Sequence, residues 1–150
     1  MAPARHAGRL RVVTLDPDVV RSRCAEIEES VARLEQLAAL PREQFLLDRD
    51  SQDIACYRLL VGIEAALALC YHVTTRRLRK APDDYAACFV ALSEAGLVAQ
   101  DLSDRLQKMA RFRNLLVHIY WKLDYNRVYD IVQADLGDLR SFASAMAALV

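Results

Sequence analysis

Residues 111–124, RFRNLLVHIYWKLD, crowd a guanidinium, a carboxamide and an imidazole into one short apolar stretch. His118 can take or give a proton near neutral pH. Arg113 is permanently charged, and its planar fork matches a phosphate. Asn114 lies one helical turn before His118, so it can orient the imidazole or hydrogen-bond a ligand. An acid–base imidazole and a phosphate-binding guanidinium are sufficient for metal-independent RNA cleavage. The ribose 2′-hydroxyl is then the nucleophile, and the protein supplies proton transfer and charge stabilisation. The same residues also suit a plain helix end, where Arg and His complement the C-terminal dipole and Trp121 caps a core.

Wound at about 100° per residue, the stretch carries two stripes. Phe112, Leu115, Leu116 and Ile119 form one and suit a bundle core. Arg113, Asn114, Val117, His118 and Trp121 form the other. Buried, the polar members of this second stripe would need partners; exposed, they make a site.

Caps and periodicity predict the elements that must carry this segment. Asp16 and Pro17 open a first helix as N-cap and first turn, running to about Leu40 and stopping before Pro41. Its apolar stripe is Val20, Ile27, Val31, Leu34 and Leu37 or Leu40. Residues 41–50 read as a connection in which Phe45, Leu46 and Leu47 tuck against the bundle. Ser51 is the expected N-cap of a second helix over about 52–80, apolar almost all round from Leu59 to Tyr71 and hence the most buried. Glu64 interrupts that run and requires a partner such as an arginine, or a place on an interface. His72 is either structural or part of the same cleft as His118.

Pro82, Asp83 and Asp84 open a third helix, capped at Gly96, with Phe89, Val90 and Leu92 packing inward. The fourth helix begins near Asp101 and holds the segment of interest. Asp124 caps a fifth over about 125–148, with a stripe from Val128 and Ile131 to Phe142 and Met146, weakened at Gly137. The expected fold is all-α: an up-and-down bundle of four long helices plus one or two short pieces, over residues 16–150. Residues 1–15 are expected to be a flexible N-terminal arm, with a short extended piece at Leu10–Leu15.

Composition narrows the function classes. Formal charge is zero over 150 residues, so any RNA site must be a local basic patch. The run Arg76, Arg77, Arg79 and Lys80 is either a cationic last turn or, with Arg111, an RNA-binding rim. Apolar content of 54% with 4 Gly and 4 Pro favours compact helices, and the apolar surplus points to a self-association face. Cys24, Cys56, Cys70 and Cys88 form no C-x-x-C pair and read as small core thiols rather than disulfides or a zinc site. No Gly-rich phosphate loop, nucleophile elbow or acidic metal cluster occurs, so no cofactor or metal is expected. The first residues do not resemble a secretion signal, and no uninterrupted apolar run reaches about 18 residues. A cytoplasmic protein with no membrane span is therefore expected.

The string Arg113-Asn114-x-x-x-His118-x-Tyr120 resembles the Arg-x4–6-His motif of HEPN ribonucleases, with the polar residue directly after the arginine. The trailing His-x-Tyr looks like the HepT-like branch, the toxin half of HEPN/minimal-nucleotidyltransferase toxin–antitoxin pairs. IACYRLLVGIEAALALCYHV (54–73), DDYAACFVALSEAGLV (83–98), LSDRLQKMARFRNLLVHIYW (102–121) and LDYNRVYDIVQADLGDL (123–139) resemble that family in the same order. The resemblance implies the HEPN bundle, a two-fold homodimer whose motifs meet in a cleft, an RNA substrate and a cognate nucleotidyltransferase antitoxin. It implies Arg113 and His118 as the catalytic pair, with Asn114 positioning phosphate or His118. Tyr120 would be the acceptor of AMP from the antitoxin. A dimer also makes physical sense, because Arg113 and His118 project about 140° apart on an ideal helix. A two-fold axis brings a second copy of each to one phosphate, with Val117 and Trp121 in the seam. The alternative is a non-catalytic HEPN module that binds nucleotide or protein; a plain dimeric scaffold is a third.

Overall fold

The computed structural model describes residues 14–118 and 122–150. Among them are seven helices and no strand: α1 (Pro17–Ala38), α2 (Arg42–Leu47), α3 (Arg49–Arg76), α4 (Tyr85–Glu94), α5 (Gln100–His118), α6 (Tyr125–Ala134) and α7 (Leu136–Ala147). The four long members of the expected bundle are α1, α3, α5 and the α6–α7 pair; α2 and α4 are the short pieces. The expected N-terminal arm lies, except for Thr14 and Leu15, outside the described residues.

α3 is the hub. It packs most extensively on α1 and also meets α4, α5 and α7. Leu59, Ile63, Ala66, Leu69, Cys70 and Val73 are all essentially inaccessible along it. By length and hydropathy this helix could cross a membrane, yet half of its most apolar window is buried inside the bundle. The α1 stripe fits it as expected: Val20, Ile27, Val31 and Leu34 are fully buried. The two helices close in at Gly62, where an added Cβ would sit 3.3 Å from the Ser30 Cβ.

Several boundaries follow the predicted capping chemistry. The Asp16, Asp84 and Asp124 carboxylates accept from the Asp18, Ala87 and Asn126 amides at 3.0, 2.7 and 2.9 Å. Gly96 adopts φ 75° after α4, and the Leu97 amide returns to the Leu92 carbonyl at 2.9 Å.

Others differ. Ser51 is not the N-cap of α3. Asp48 is, accepting from the Asp50 and Ser51 amides and from the Ser51 hydroxyl, so the helix starts three residues earlier. A carboxylate at the positive end of the dipole outcompetes a hydroxyl for that role. These bonds, the Ser51 hydroxyl foremost, hold the Asp48 carboxyl below its usual range. α3 ends at Arg76 rather than near Lys80, because Arg79 turns left-handed (φ 55°) and the Lys80 amide reaches the Thr74 carbonyl at 3.0 Å. In the connection, Phe45 is buried against Tyr129, whereas Leu47 is 88% exposed. A helix as short as α2 turns only one face inward, and Phe45 occupies it. Val90 was expected inside α4 but is exposed, since Phe89 and Leu92 define the buried face. The predicted fifth helix is two: it breaks at Asp135 (φ −110°, ψ −3°), beside Gly137. Its apolar stripe nevertheless stays buried through both halves, from Val128 to Met146. All four cysteines are free thiols; Cys70 and Cys88 are buried, the other two half-buried.

Candidate active site

α5 positions the polar residues. Its apolar stripe anchors it, with Leu106, Phe112 and Leu116 buried and Leu115 half-buried against the core. Asp101 in the first turn complements its dipole and pairs with Arg105. Ile119, expected in the same stripe, and Tyr120 and Trp121 lie outside the described residues.

Arg113 is the junction of three helices. Its Nε donates to the Glu64 carboxylate of α3, the partner that the charge inside an apolar run required. Its Nη1 donates to Asn114 Oδ1 at 3.3 Å. The guanidinium carbon sits 5.6 Å from the centre of the Tyr85 ring, at the start of α4. That ring is held in turn edge-on by Tyr71, 5.4 Å away. Among the described residues Nη2 makes no hydrogen bond. The fork is therefore fixed in direction yet keeps one edge for an anion. The Glu64 pairing is only part-buried, so it orients the cation without desolvating it fully.

His118 is exposed at the last described turn of α5. Asn114 and Val117 are exposed as well, so the second stripe faces outward. Arg113 instead leans back toward α3 and α4. One chain thus brings Arg113, Asn114, Glu64 and Tyr85 together, while His118, one turn beyond Asn114 on the outward stripe, projects away from Arg113 in keeping with the roughly 140° separation.

The proposed rim residues Arg76, Arg77, Arg79, Lys80 and Arg111 are all exposed. Arg76 touches the Thr14 carbonyl at 3.4 Å. Arg111 and Asn114 border a groove of about 330 Å³, whose other walls come from Tyr85 and Asp84 at the α4 start and Gln107 on α5. His72 does not join His118. Its Nε2 accepts the Asp16 amide at 3.0 Å and so helps to cap α1. Burial, then the Arg76 charge, lowers its proton affinity against a smaller opposing effect of Asp16.

Two neighbours escaped the sequence reading. Tyr85 joins the site by tertiary contact and carried no spacing or charge signal, whereas Gln107 stands on the same face of α5, four residues before Arg111 and seven before Asn114, a spacing that could have found it. Glu64 carried a signal, as an acid in an apolar run.

Residues 27–146 match the family model described as "Ribonuclease HepT-like". The chain is 29% identical over 131 residues to the mRNA nuclease HepT of Shewanella oneidensis, covering 87% of this chain and 98% of that one. The fold superposes with a TM-score of 0.80 on a tri-AMPylated S. oneidensis HEPN toxin in complex with its MNT antitoxin, at 29% identity and with 87% and 98% of the two chains covered. A toxin–antitoxin structure with AMP-PNP gives a TM-score of 0.78 at 28% identity, covering 86% and 98%. A Bacillus subtilis cytosolic protein of unknown function, YutE, shares the fold at a TM-score of 0.80 and 16% identity, with 91% of each chain covered.

Proposed function

The chain belongs to the family of HepT-like ribonucleases, and from that premise we propose that it is the toxin of a HEPN/minimal-nucleotidyltransferase pair. It cuts RNA internally without a metal. Two chains form a cytoplasmic homodimer through the outward stripe of α5, so that an Arg113 and a His118 from paired chains flank one phosphodiester. The 2′-hydroxyl attacks phosphorus and the 5′-oxygen leaves, giving a 2′,3′-cyclic phosphate and a 5′-hydroxyl end. Arg113 offers its open Nη2 edge to the charge that grows on the phosphoryl oxygens. His118 moves the proton, and Asn114, which already holds Arg113, positions the phosphate. The exposed cations Arg76, Arg77, Arg79, Lys80 and Arg111 form the rim that receives the strand.

One observation carries this reading: a guanidinium oriented by Glu64 and Asn114, with Nη2 unbonded among the described residues, on the helix that also presents an exposed imidazole. Inhibition follows from Tyr120. A cognate nucleotidyltransferase transfers AMP from ATP to its hydroxyl, with the α–β phosphoanhydride breaking and pyrophosphate leaving, and the added anion beside the cleft repels RNA. The AMPylated state of the S. oneidensis toxin supports this part.

The test replaces Arg113 or His118 by alanine in the full chain. Each change is expected to abolish RNA cleavage and growth inhibition while the dimer persists. Undiminished cleavage in both variants would overturn Arg113 and His118 as the catalytic pair, whereas no cleavage by the parent protein would favour the non-catalytic binding module. Mass spectrometry after co-expression with the nucleotidyltransferase is expected to find Tyr120 heavier by one AMP; an unmodified peptide from an inhibited complex removes that step.

A further inference from the structure

We propose that the groove between the start of α4 and the middle of α5 is a nucleobase subsite for a nucleotide flanking the scissile phosphate. Its volume, about 330 Å³, lies at the lower end of the range of roughly 300–1,000 Å³ for small-molecule sites, which suits one nucleoside. The groove also touches the catalytic arginine's neighbourhood directly: Asn114 lines it, and Tyr85 lines it while standing against Arg113.

The wall chemistry fits a base. Tyr85 offers an aromatic ring whose orientation is locked by Tyr71 on one side and Arg113 on another, so stacking costs little ordering. Gln107 is a fixed reader. Its Nε2 donates to the Ser103 hydroxyl at 3.2 Å, and that hydroxyl donates to the Phe89 carbonyl at 3.0 Å. The amide oxygen is thereby left to accept from an exocyclic amine or ring N–H. Asn114 mirrors it: its oxygen is taken by Arg113, so its amide nitrogen remains a donor. Arg111 supplies an exposed cation at the mouth for the next phosphate along the strand. An aromatic plane, an acceptor, a donor and a cation surround a cavity of nucleoside size, and the one carboxylate on its wall, Asp84, is engaged by the Ala87 amide and can accept from a base N–H; this set describes a nucleoside site better than a peptide one.

This inference rests on the ribonuclease reading, and the experiment separates the two. Short single-stranded RNAs, intact or carrying one abasic position, are bound to the His118→Ala protein and followed by fluorescence anisotropy. Tyr85→Leu and Gln107→Ala, each added to that background, are expected to weaken binding of intact RNA about ten-fold. Tyr85→Phe keeps the ring and is expected to bind as the parent does. The loss should vanish against the RNA that is abasic next to the cut bond. Equal losses on intact and abasic RNA, or none, overturn the subsite. So does a loss confined to nucleotidyltransferase binding, or a change in oligomeric mass, which would assign the groove to a protein partner or a second copy. Gln107 touches neither Arg113 nor Glu64, so its variant answers even if Tyr85→Leu unfolds. Persistent cleavage by Arg113→Ala and His118→Ala would sink the nuclease site itself. Loss of cleavage there with silent Tyr85 and Gln107 variants would sink only the subsite.

Discussion

Arg113 and Arg140 both tie helices together through carboxylates, yet only one of them is free to do anything else. Arg140 on α7 is saturated: Nε donates to Glu28 at 3.0 Å and Nη1 to Glu35 at 2.9 Å, while Nη2 bonds both acids. The two carboxylates, by hydrogen bonding first, push its already high pKa further up. Two acids on α1 consume every edge of the fork, and what remains is a surface clamp between α1 and α7. Arg113 has one acid, one amide and one ring around it, and Nη2 stays unbonded among the described residues. A cation becomes a functional group when its local acids are too few to finish it. Counting arginines, or ion pairs, does not distinguish the two.

The sharpest way to break this contrast is to remove each cation. Arg113→Ala is expected to lower RNA cleavage by on the order of 10²–10³-fold, the usual cost of one transition-state donor. Arg140→Ala should leave cleavage unchanged and produce only a small, salt-sensitive fall in melting temperature. Comparable activity losses in both would erase the distinction. The next test removes charge from the acids. Glu64→Gln is expected to cut cleavage on the order of ten-fold by loosening Arg113, with RNA binding nearly intact. Glu28→Gln should not affect cleavage at all.

A pH series sharpens the comparison further. Hydrogen bonds from Arg140 hold the Glu28 and Glu35 carboxyls below the ordinary 4.5. Depressed acid pKa values stabilise the fold above pH 4.5, and that contribution is lost as pH falls through their folded values. Thermal melts from pH 6 down to about pH 3 should therefore converge between the parent and Arg140→Ala. A difference that widened on acidification would contradict the pairing. The smallest effect calibrates the rest. Nothing lies within 4 Å of a Cβ placed on Gly137, and its backbone is helical. Gly137→Ala is expected to stabilise by roughly 0.5–1 kcal/mol in a urea titration, with cleavage unchanged.

Much of this was legible in the sequence where one local rule acted alone. Asp16, Asp84, Asp124 and Gly96 were read from cap chemistry, and the buried stripes of α1 and α5 from periodicity. Glu64 announced its need for a cation, although only the fold could show that Arg113 meets it. Reading failed where two local signals competed. Asp48 and Ser51 both suit a cap, and the carboxylate wins. Leu47 looked like core, but the one inward face of α2 went to Phe45. The break at Asp135 was hidden because the apolar stripe runs on through it, and Gly137 alone marked the weak spot. Tyr85 was invisible for another reason: it became part of the site through Arg113, distant in sequence on α5. Gln107 was legible in principle, since it shares a face of α5 with Arg111 and Asn114, but a neutral amide among charged residues did not stand out.

The apolar girth of α3 has a consequence for biogenesis. When that helix has been made, α1 and α2 are the only other described helices present to cover it; Phe89, Leu106 and Leu139, which meet its Ile63, Ala66 and Leu67, come afterwards. Until then a nascent chain presents a long apolar helix to solvent. Chains truncated just beyond Arg76 are accordingly expected to aggregate or cling to chaperones, so premature termination discards this protein instead of releasing a partial one.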